Sequence, residues 1–392
     1  MAKNKGGFIG QFGLEAPDSP TGVSASAGNT QATISFTAPS DVGGSAITGY
    51  RAQSNDGIGA SGSSSPVTVT GLTNGTSYTF NVWAINAYGY SAPSDASGSV
   101  SPVAPRGLFG GGQNSGGTRL NVIDFVTLGT TGNASDFGDL VVSSDNNASC
   151  ASSTRGIFWG GNDGGNNETI NYVSIFSAGN ASDFGNLDPA HAGSGASCSN
   201  DTRGLVGGGV ADSTAISYIT IASTGNSSDF GNLSVGGTQL AALASSTRGV
   251  WGGGSSRGSS KDVIDYVTIS STGNATDFGD LSEGRRALTG ASNSTRGIFA
   301  GGGGFGSGRT IDFITIASTG NATDFGDTIG NIGYMAGCAD STNALFAGGQ
   351  STYTNQIQYV VIATTANSSD FGDLTVGRAN FAGCSSAHGG LS

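Results

Sequence analysis

Residues 263–281, VIDYVTISSTGNATDFGDL, contain the pattern that decides the fold of most of this chain. Large apolar residues surround a central Asp265, a Thr-Gly-Asn segment follows, and an Asp-Phe-Gly-Asp-Leu segment ends the stretch. β-Branched and aromatic residues bounded by Gly, Asn and Ser are typical of short strands. The stretch therefore predicts two strands joined by a tight connection.

The Asp-Phe-Gly segment occurs six times and marks a repeat of 46–48 residues. Its copies begin at Asp136, Asp183, Asp229, Asp277, Asp324 and Asp370. An apolar strand with a polar centre precedes each copy, and farther upstream lies Arg-Gly-x-x-Gly-Gly or a close variant. Those variants begin at Arg106, Arg155, Arg203, Arg248, Arg296 and, in altered form, Asn343. With one more segment before the arginine, each repeat supplies four short strands, A to D, which is the content of one β-propeller blade.

The repeats resemble those of kelch-like β-propellers, whose units have about 50 residues. The resemblance covers Arg106 to Ser392 and departs from kelch where Phe137 and its equivalents replace the usual Trp. The repeats start at a B strand and end just after an A segment, residues 381–386. We therefore expect residues 104–392 to form a six-bladed propeller whose C-terminal strand completes the first blade and removes exposed edges.

Residues 16–103 have a different composition, with β-prone runs separated by turns. In one run Tyr78, Phe80, Val82 and Ala84 alternate with less apolar residues, which predicts a half-buried strand. The segment resembles a fibronectin type III domain in the residues 71–78, GLTNGTSY, and in the prolines that flank the first strands. The resemblance implies a two-sheet sandwich with a tyrosine corner at Tyr78. Such sandwiches host many functions, so a spacer role is the plain interpretation.

The first residues, 1–15, read MAKNKGGFIGQFGLE and contain no apolar run of the kind found in secretory signals. Two interpretations remain open for this arm. It is a frayed terminus, or it docks on a partner through Phe8, Ile9 and Phe12.

Composition narrows the class of protein. The chain has 70 glycines in 392 residues, 11% charged residues and a net charge of −12. Abundant Gly, Ser, Thr and Asn with few lysines predict an all-β protein. The acidic balance disfavours a nucleic-acid partner, which would require clustered Lys and Arg. No apolar run approaches 18 residues, so we expect no membrane insertion.

Residues able to support catalysis or metal binding are sparse. Only His191 and His388 are present, and no zinc, calcium-loop or nucleophile motif occurs. We therefore predict no enzyme activity, no metal and no cofactor. The four cysteines recur at equivalent repeat positions, where Leu and Ala also occur, which predicts free and buried thiols. A glycan-active enzyme is an alternative, but its paired carboxylates would have to come from a scattered set: Asp163, Glu168, Asp188, Asp212 and Glu283.

Two polar residue types recur in every repeat or nearly so. The arginines before the B strands predict structural hydrogen bonds with the Asp of Asp-Phe-Gly, or alternatively a binding site for an anionic ligand. An Asn precedes each Asp-Phe-Gly segment, at Asn133, Asn180, Asn226, Asn274, Asn321 and Asn367. We expect these amides to form Asx turns within the C–D connections.

Variation between the repeats is the best indication of function. The A–B and C–D connections barely change, whereas the B–C and D–A connections differ in every copy. Loops that vary on a regular scaffold often carry binding, although drift without a ligand is an alternative. The candidate ligand contacts are Arg119, His191, Arg257, Lys261, Arg285, Arg286, Phe305, Arg309, Tyr334, Tyr353, Arg378 and Phe381.

These features resemble those of bacteriophage virion proteins such as tail fibres and capsid decorations. The resemblance implies a non-enzymatic virion protein made in the host cytoplasm. Its arm and sandwich would attach to other virion proteins, and its propeller would contact a host glycan or protein. A purely architectural role is a third hypothesis, and the oligomeric state stays open.

Overall fold

The computed structural model describes residues 15–187, 193–303, 308–350 and 352–391. The chain divides into two compact units, Met1–Ala104 and Pro105–Ser392. Almost all regular structure is antiparallel β-sheet, and the helical content of the described residues is confined to 3-10 turns of three residues. The all-β prediction is therefore confirmed.

The first unit has two sheets, one with the order β1-β2-β5 and the other with the order β4-β3-β6-β7. Its strands are β1 (Thr21–Gly28), β2 (Gln31–Thr37), β3 (Gly49–Ser54), β4 (Gly59–Gly62), β5 (Val67–Thr70), β6 (Phe80–Asn86) and β7 (Gly89–Tyr90). Phe80, Val82 and Ala84 alternate into a common core, as the period of two predicts. The buried Tyr78 accepts a hydrogen bond on its hydroxyl from the backbone N–H of Thr73, at 3.0 Å.

The second unit contains six sheets of repeated design, and we number them by the repeat that supplies their B strand. The A strands are β32 (Ala382–Ser385), β11 (Ala148–Ala151), β15 (Ala196–Ser199), β19 (Ala241–Ala244), β24 (Thr289–Ser292) and β28 (Ala336–Ala339). The B strands are β8 (Arg106–Gly110), β12 (Arg155–Trp159), β16 (Arg203–Gly207), β20 (Arg248–Gly252), β25 (Arg296–Ala300) and β29 (Asn343–Ala347).

The remaining strands complete each sheet. The C strands are β9 (Val122–Thr127), β13 (Thr169–Ser174), β17 (Ala215–Thr220), β22 (Ser259–Thr268), β26 (Thr310–Thr315) and β30 (Gln356–Val361). The D strands are β10 (Ser135–Asp139), β14 (Ser182–Asn186), β18 (Ser228–Asn232), β23 (Thr276–Arg285), β27 (Thr323–Asp327) and β31 (Ser369–Asp373). The short strand β21 (Ser255–Ser256) pairs with β22 and extends sheet 4.

Every sheet has the order A-B-C-D, and sheet 1 is assembled from both ends of the unit. Its A strand, β32, pairs with β8 in antiparallel register, with Ala382 opposite Gly110 and Ser385 opposite Gly107. Each A strand also contacts the A strands of the preceding and following sheets, and β32 contacts both β28 and β11. The A strands therefore follow one another in a cyclic order.

The cores of this unit lie between neighbouring sheets. Phe158 of sheet 2, for example, packs in one cluster with Leu108 and Ile123 of sheet 1. A Cβ on Gly110 would lie 2.6 Å from the ring of Phe158, so only glycine leaves room for that ring. The C strands accordingly carry large apolar residues on both faces, because each sheet is covered on both sides.

Candidate functional site

The antiparallel order of the strands divides the loops of the second unit between two ends of the sheets. The A–B and C–D connections emerge at one end, which we call the uniform end because its sequence barely changes. The B–C and D–A connections emerge at the opposite end, which we call the variable end. This division follows from strand direction, and among the described residues it puts the predicted ligand contacts in the connections of one end or in the strand ends that flank them.

The recurring arginines at the uniform end link five of the six sheets to the sheet that follows. Each guanidinium lies 4.3–4.6 Å from the ring centroid of the C-strand aromatic of its own sheet. Its Nη1 donates to a backbone carbonyl of the following sheet at 2.7–3.2 Å. The accepting residues are Ile175, Ile221, Ile269, Ile316 and Ile362. The arginines are thus structural, and their partners are carbonyls and rings rather than the predicted aspartates.

The recurring asparagines also join neighbouring sheets, which corrects the prediction of Asx turns. Each Oδ1 accepts a backbone N–H at 2.9–3.1 Å from the D strand of the preceding sheet. The last of these bonds joins Asn133 of sheet 1 to the N–H of Asp373 in sheet 6. Sequence spacing could not reveal this, because the partner lies one repeat away.

Sheet 6 lacks the arginine, since Asn343 occupies its position. We expect Asn343→Arg to stabilise the second unit by roughly 0.5–1 kcal/mol, through stacking on Tyr359 and a hydrogen bond to the carbonyl of Leu128. Urea denaturation measures this change, and Arg296→Asn is the matched control, which should lose a similar amount. A variant no more stable than the parent would contradict the assigned role of the arginines.

Six residues at the variable end form a cycle of backbone hydrogen bonds. Each N–H donates to the carbonyl of its equivalent in the preceding sheet, at 2.6–3.1 Å, and the bond from Asn146 to Asn380 completes the cycle. All six have φ between 55° and 63°, which is disfavoured for residues other than glycine. They are Asn146, Ser194, Gln239, Ala287, Tyr334 and Asn380. Their shared conformation is explained by the backbone hydrogen bonds, since the side chains range from Ala287 to Tyr334.

A central cavity opens beneath this cycle and is lined by the A strands of all six sheets. Its wall at the variable end carries four large apolar side chains, Leu240, Leu288, Met335 and Phe381. Gln239 and Asn380 line the same mouth, and their amide oxygens are buried without a hydrogen-bond partner. No Asp, Glu, Lys or Arg of the described residues lines it. The cavity therefore suits a neutral, polar molecule with one apolar face.

His388 lies at the other end of the cavity. Its Nδ1 accepts a hydrogen bond from the N–H of Gly390 at 3.1 Å, so Nε2 carries the hydrogen and donates to the carbonyl oxygen of Ala151, with 2.9 Å between Nε2 and the oxygen. Burial lowers the pKa of His388 and favours this neutral form. The histidine is held by backbone groups and serves as a structural residue.

Several predicted ligand contacts are accessible at the variable end. Arg257 and Arg309 are exposed, whereas Lys261, Arg286 and Tyr353 are half-buried. Arg119 is half-buried and pairs with Asp145, with 3.3 Å between Nε and Oδ1. The Tyr334 hydroxyl accepts a hydrogen bond from Gln239 at 3.0 Å.

Three predicted contacts are buried, and two of them cannot meet a ligand. The Arg285 and Arg378 side chains are 2% and 0% exposed and pair with the interior carboxylates Asp312 and Asp124. Phe381 is 4% exposed and contributes to the wall of the central cavity. His191 and Phe305, like the arm residues Phe8, Ile9 and Phe12, lie outside the described residues.

The structure also locates the residues considered for catalysis. Asp212 accepts a hydrogen bond from the backbone N–H of Arg257, and Glu283 accepts one from the hydroxyl of Thr310. Neither these acids nor Asp163 and Glu168 line the central cavity, and Asp188 lies outside the described residues. In the described part of the chain, no cluster of three or more His, Cys, Asp or Glu could hold a metal ion.

The four cysteines, Cys150, Cys198, Cys338 and Cys384, are buried and unpaired, as predicted. Their thiols fill the space above a glycine of the neighbouring B strand, and a Cβ on Gly204 would lie 2.7 Å from the sulfur of Cys150. Burial raises the pKa of Cys150 to about 12, which keeps the thiol protonated and unreactive.

Comparison with known proteins identifies the first unit. Residues 18–99 match the family model of the fibronectin type III domain. Two titin structures are similar, and both are 30% identical to this chain. "Crystal structure of domains A168-A170 from titin" has a TM-score of 0.22 and covers 23% of this chain and 33% of its own. "Titin kinase and its flanking domains" has a TM-score of 0.21 and covers 22% and 17%. This chain thus spans a third or less of either structure.

No curated protein matches the chain. In the described residues, no helix is long and apolar enough to cross a membrane. The fibronectin type III domain is thereby established for residues 18–99, and the second unit is interpreted from its own geometry.

Proposed function

We propose that the second unit is a kelch-like β-propeller with six blades, closed by β32. Three observations support the proposal: the A-B-C-D order of every sheet, the pairing of β32 with β8, and the cyclic contacts between the A strands. The six backbone hydrogen bonds that join Asn146 through Asn380 support it independently. In such a propeller the variable end is one continuous face around the central cavity.

The proposed function is non-enzymatic attachment of a bacteriophage virion to its host. The arm and the fibronectin type III domain would hold the protein on other virion proteins, and the variable face would contact a surface glycan. The observation that carries the proposal is the confinement of sequence variation to one end of a regular scaffold. Loops positioned by a rigid scaffold are a common location of binding residues.

The chemistry of the variable face favours a neutral or mildly acidic polysaccharide. Exposed Arg257 and Arg309 offer donors to hydroxyl and carboxyl groups, and Tyr353 offers a ring for stacking. The cavity mouth adds an apolar wall, to which Leu240 and Phe381 contribute. Sugar rings combine hydroxyl donors with apolar faces, so both features can be used at once.

An array of purified bacterial surface polysaccharides tests this proposal with the full chain. We expect the triple variant Arg257→Ser, Arg309→Ser, Tyr353→Ser to bind at least about tenfold more weakly, a loss of about 1.4 kcal/mol. The matched control changes three exposed serines of the uniform end, Ser223, Ser271 and Ser318, to alanine and should bind like the parent.

Three results would contradict the proposal. An equal loss of polysaccharide affinity in the triple variant and its control would mean that binding is not confined to the variable end. Release of reducing sugars from a bound polysaccharide would identify the protein as a glycan-active enzyme instead. Absence of binding to every polysaccharide, together with retention on the particle, would favour the architectural hypothesis.

A further inference from the structure

A buried carboxylate lies at the centre of three of the six C strands, at Asp124, Asp265 and Asp312. Each is 0–3% exposed. Each accepts two hydrogen bonds, one from the N–H and one from the hydroxyl of a Ser or Thr that lies near the end of the preceding D strand or just after it. Those residues are Thr375, Ser234 and Ser282 respectively. The three sites are therefore built alike.

Two of these sites contain an arginine three positions after the Ser or Thr. Arg285 lies 2.6 Å from Asp312 and also donates to the carbonyls of Gly301 and Thr310, both at 2.7 Å. Arg378 lies 2.9 Å from Asp124 and donates to a carbonyl at 3.0 Å. In each case a guanidinium compensates the buried carboxylate and satisfies nearby backbone oxygens.

The third site has the carboxylate without the arginine. Gly237 occupies the position three residues after Ser234, and a small cavity lies beside Asp265. Gly253 and Val263 line this cavity, and they are the equivalents of Gly301 and Thr310. In both pairs the glycine N–H donates a hydrogen bond to the carbonyl of the other residue at 3.0 Å.

The other residues around the cavity include one cation, Lys261, and it forms no ion pair with the carboxylate. The remaining lining is largely apolar, from Leu233, Val235, Leu240 and Trp251, together with Gly236 and Lys261. Among the described residues no cation lies within 4 Å of Asp265, in contrast to its two equivalents. Burial raises the pKa of Asp265, and the charge of the nearby Asp277 acts in the same direction. A buried ionised carboxylate is costly unless a positive charge pairs with it.

We propose that the cavity beside Asp265 binds one small monovalent cation in place of the missing guanidinium. The carboxylate of Asp265 would supply the charge, and the backbone oxygens of Gly253 and Val263 would complete the set of oxygen ligands. The space is about the size of one water molecule, which admits Na⁺, K⁺ or NH₄⁺ but no larger organic cation. The site lies between sheets 3 and 4, and its role does not depend on the proposed host attachment.

Thermal unfolding of the full chain tests the proposal. Protein is prepared in tetramethylammonium chloride, whose cation is too large to enter, and NaCl, KCl or NH₄Cl is exchanged in at constant ionic strength. We expect at least one of the three small cations to raise Tm saturably by roughly 2–4 °C, because binding to the native state alone stabilises it. Trp251 lines the cavity, so its fluorescence should change over the same concentration range.

Two variants separate the site from general salt effects. Asp265→Asn should lose the dependence on cation identity. Gly237→Arg supplies the guanidinium of the equivalent sites and should abolish the dependence, because its charge takes the place of the bound cation. A Cβ at Gly237 would lie 3.1 Å from the carbonyl of Ser255, so the first side-chain atom needs a small shift there, and the guanidinium must also move residues that line the cavity. A parent protein that responds equally to all four cations, or a Gly237→Arg variant that keeps the parent's dependence, would overturn the proposal.

Discussion

Deletion of residues 380–392 is expected to abolish cooperative folding of the second unit or to lower its stability by more than about 5 kcal/mol. The deletion removes β32, leaves the edge of β8 unpaired and exposes the apolar surface covered by Phe381 and Cys384. Loss of a single buried Phe side chain costs about 3–5 kcal/mol, and whole domains are stable by only about 5–15 kcal/mol. Circular dichroism during urea titration measures the loss, and light scattering reports aggregation through the free edge.

A rearranged chain is the sharpest control for this deletion. Residues 380–386, followed by one serine, are moved to a position directly before Pro105. The new A–B turn then has three residues: Ser386, the added serine and Pro105. It has the same length as the A–B turn of sheet 2, residues 152–154. The rearranged chain should recover most of the lost stability, because β32 would pair with β8 as a hairpin. Failure of the rearrangement, or a deletion without effect, would contradict the role assigned to β32.

Arg378→Met is expected to destabilise the second unit by about 3–5 kcal/mol, the usual cost of leaving one member of a buried ion pair alone. Arg378 and Asp124 are both fully buried and are separated by 254 residues in sequence, so their pair joins the two ends of the unit. Urea denaturation followed by tryptophan fluorescence provides the measurement.

A double variant distinguishes loss of the pair from loss of packing. Arg378→Met combined with Asp124→Asn removes both charges and should recover a large part of the loss, giving a clear coupling energy. Arg285→Met, combined with Asp312→Asn, repeats the test at a pair only 27 residues apart. Additive effects in both double variants would show that the ion pairs contribute little to stability beyond the packing of their side chains.

Much of the fold could be predicted because each strand carries its own local pattern. The run Tyr78-Thr79-Phe80-Asn81-Val82 alternates strictly, so the sandwich strand was evident, and the family match to residues 18–99 confirms the fibronectin type III domain. The Asp265 strand and its equivalents were evident from apolar residues around one polar centre. Such patterns describe one sheet at a time and say little about contacts between sheets.

The errors in the candidate site come from those contacts between sheets. Arg285 and Arg378 were predicted as ligand contacts because they lie in variable connections, yet each pairs with an aspartate of the next sheet. A signal was present for Arg285, since residues 281–285, LSEGR, precede the repeat whose C strand has Asp312 at its centre. The same pattern at residues 374–378 comes after the last C strand, so its partner Asp124 could not be read from neighbouring sequence. The cycle of backbone hydrogen bonds had no such signal, because Asn146, Ala287 and Tyr334 share a positive φ but no side-chain chemistry.

Amide hydrogen exchange of residues 380–386, followed by mass spectrometry, tests the closed arrangement of the six sheets most directly. If β32 completes sheet 1, these amides should exchange only when the whole unit unfolds, at the rate shown by β8 and β11. Exchange of this segment within seconds, while the other A strands stay protected, would mean that the sheets form an open row and that the variable loops have no common centre.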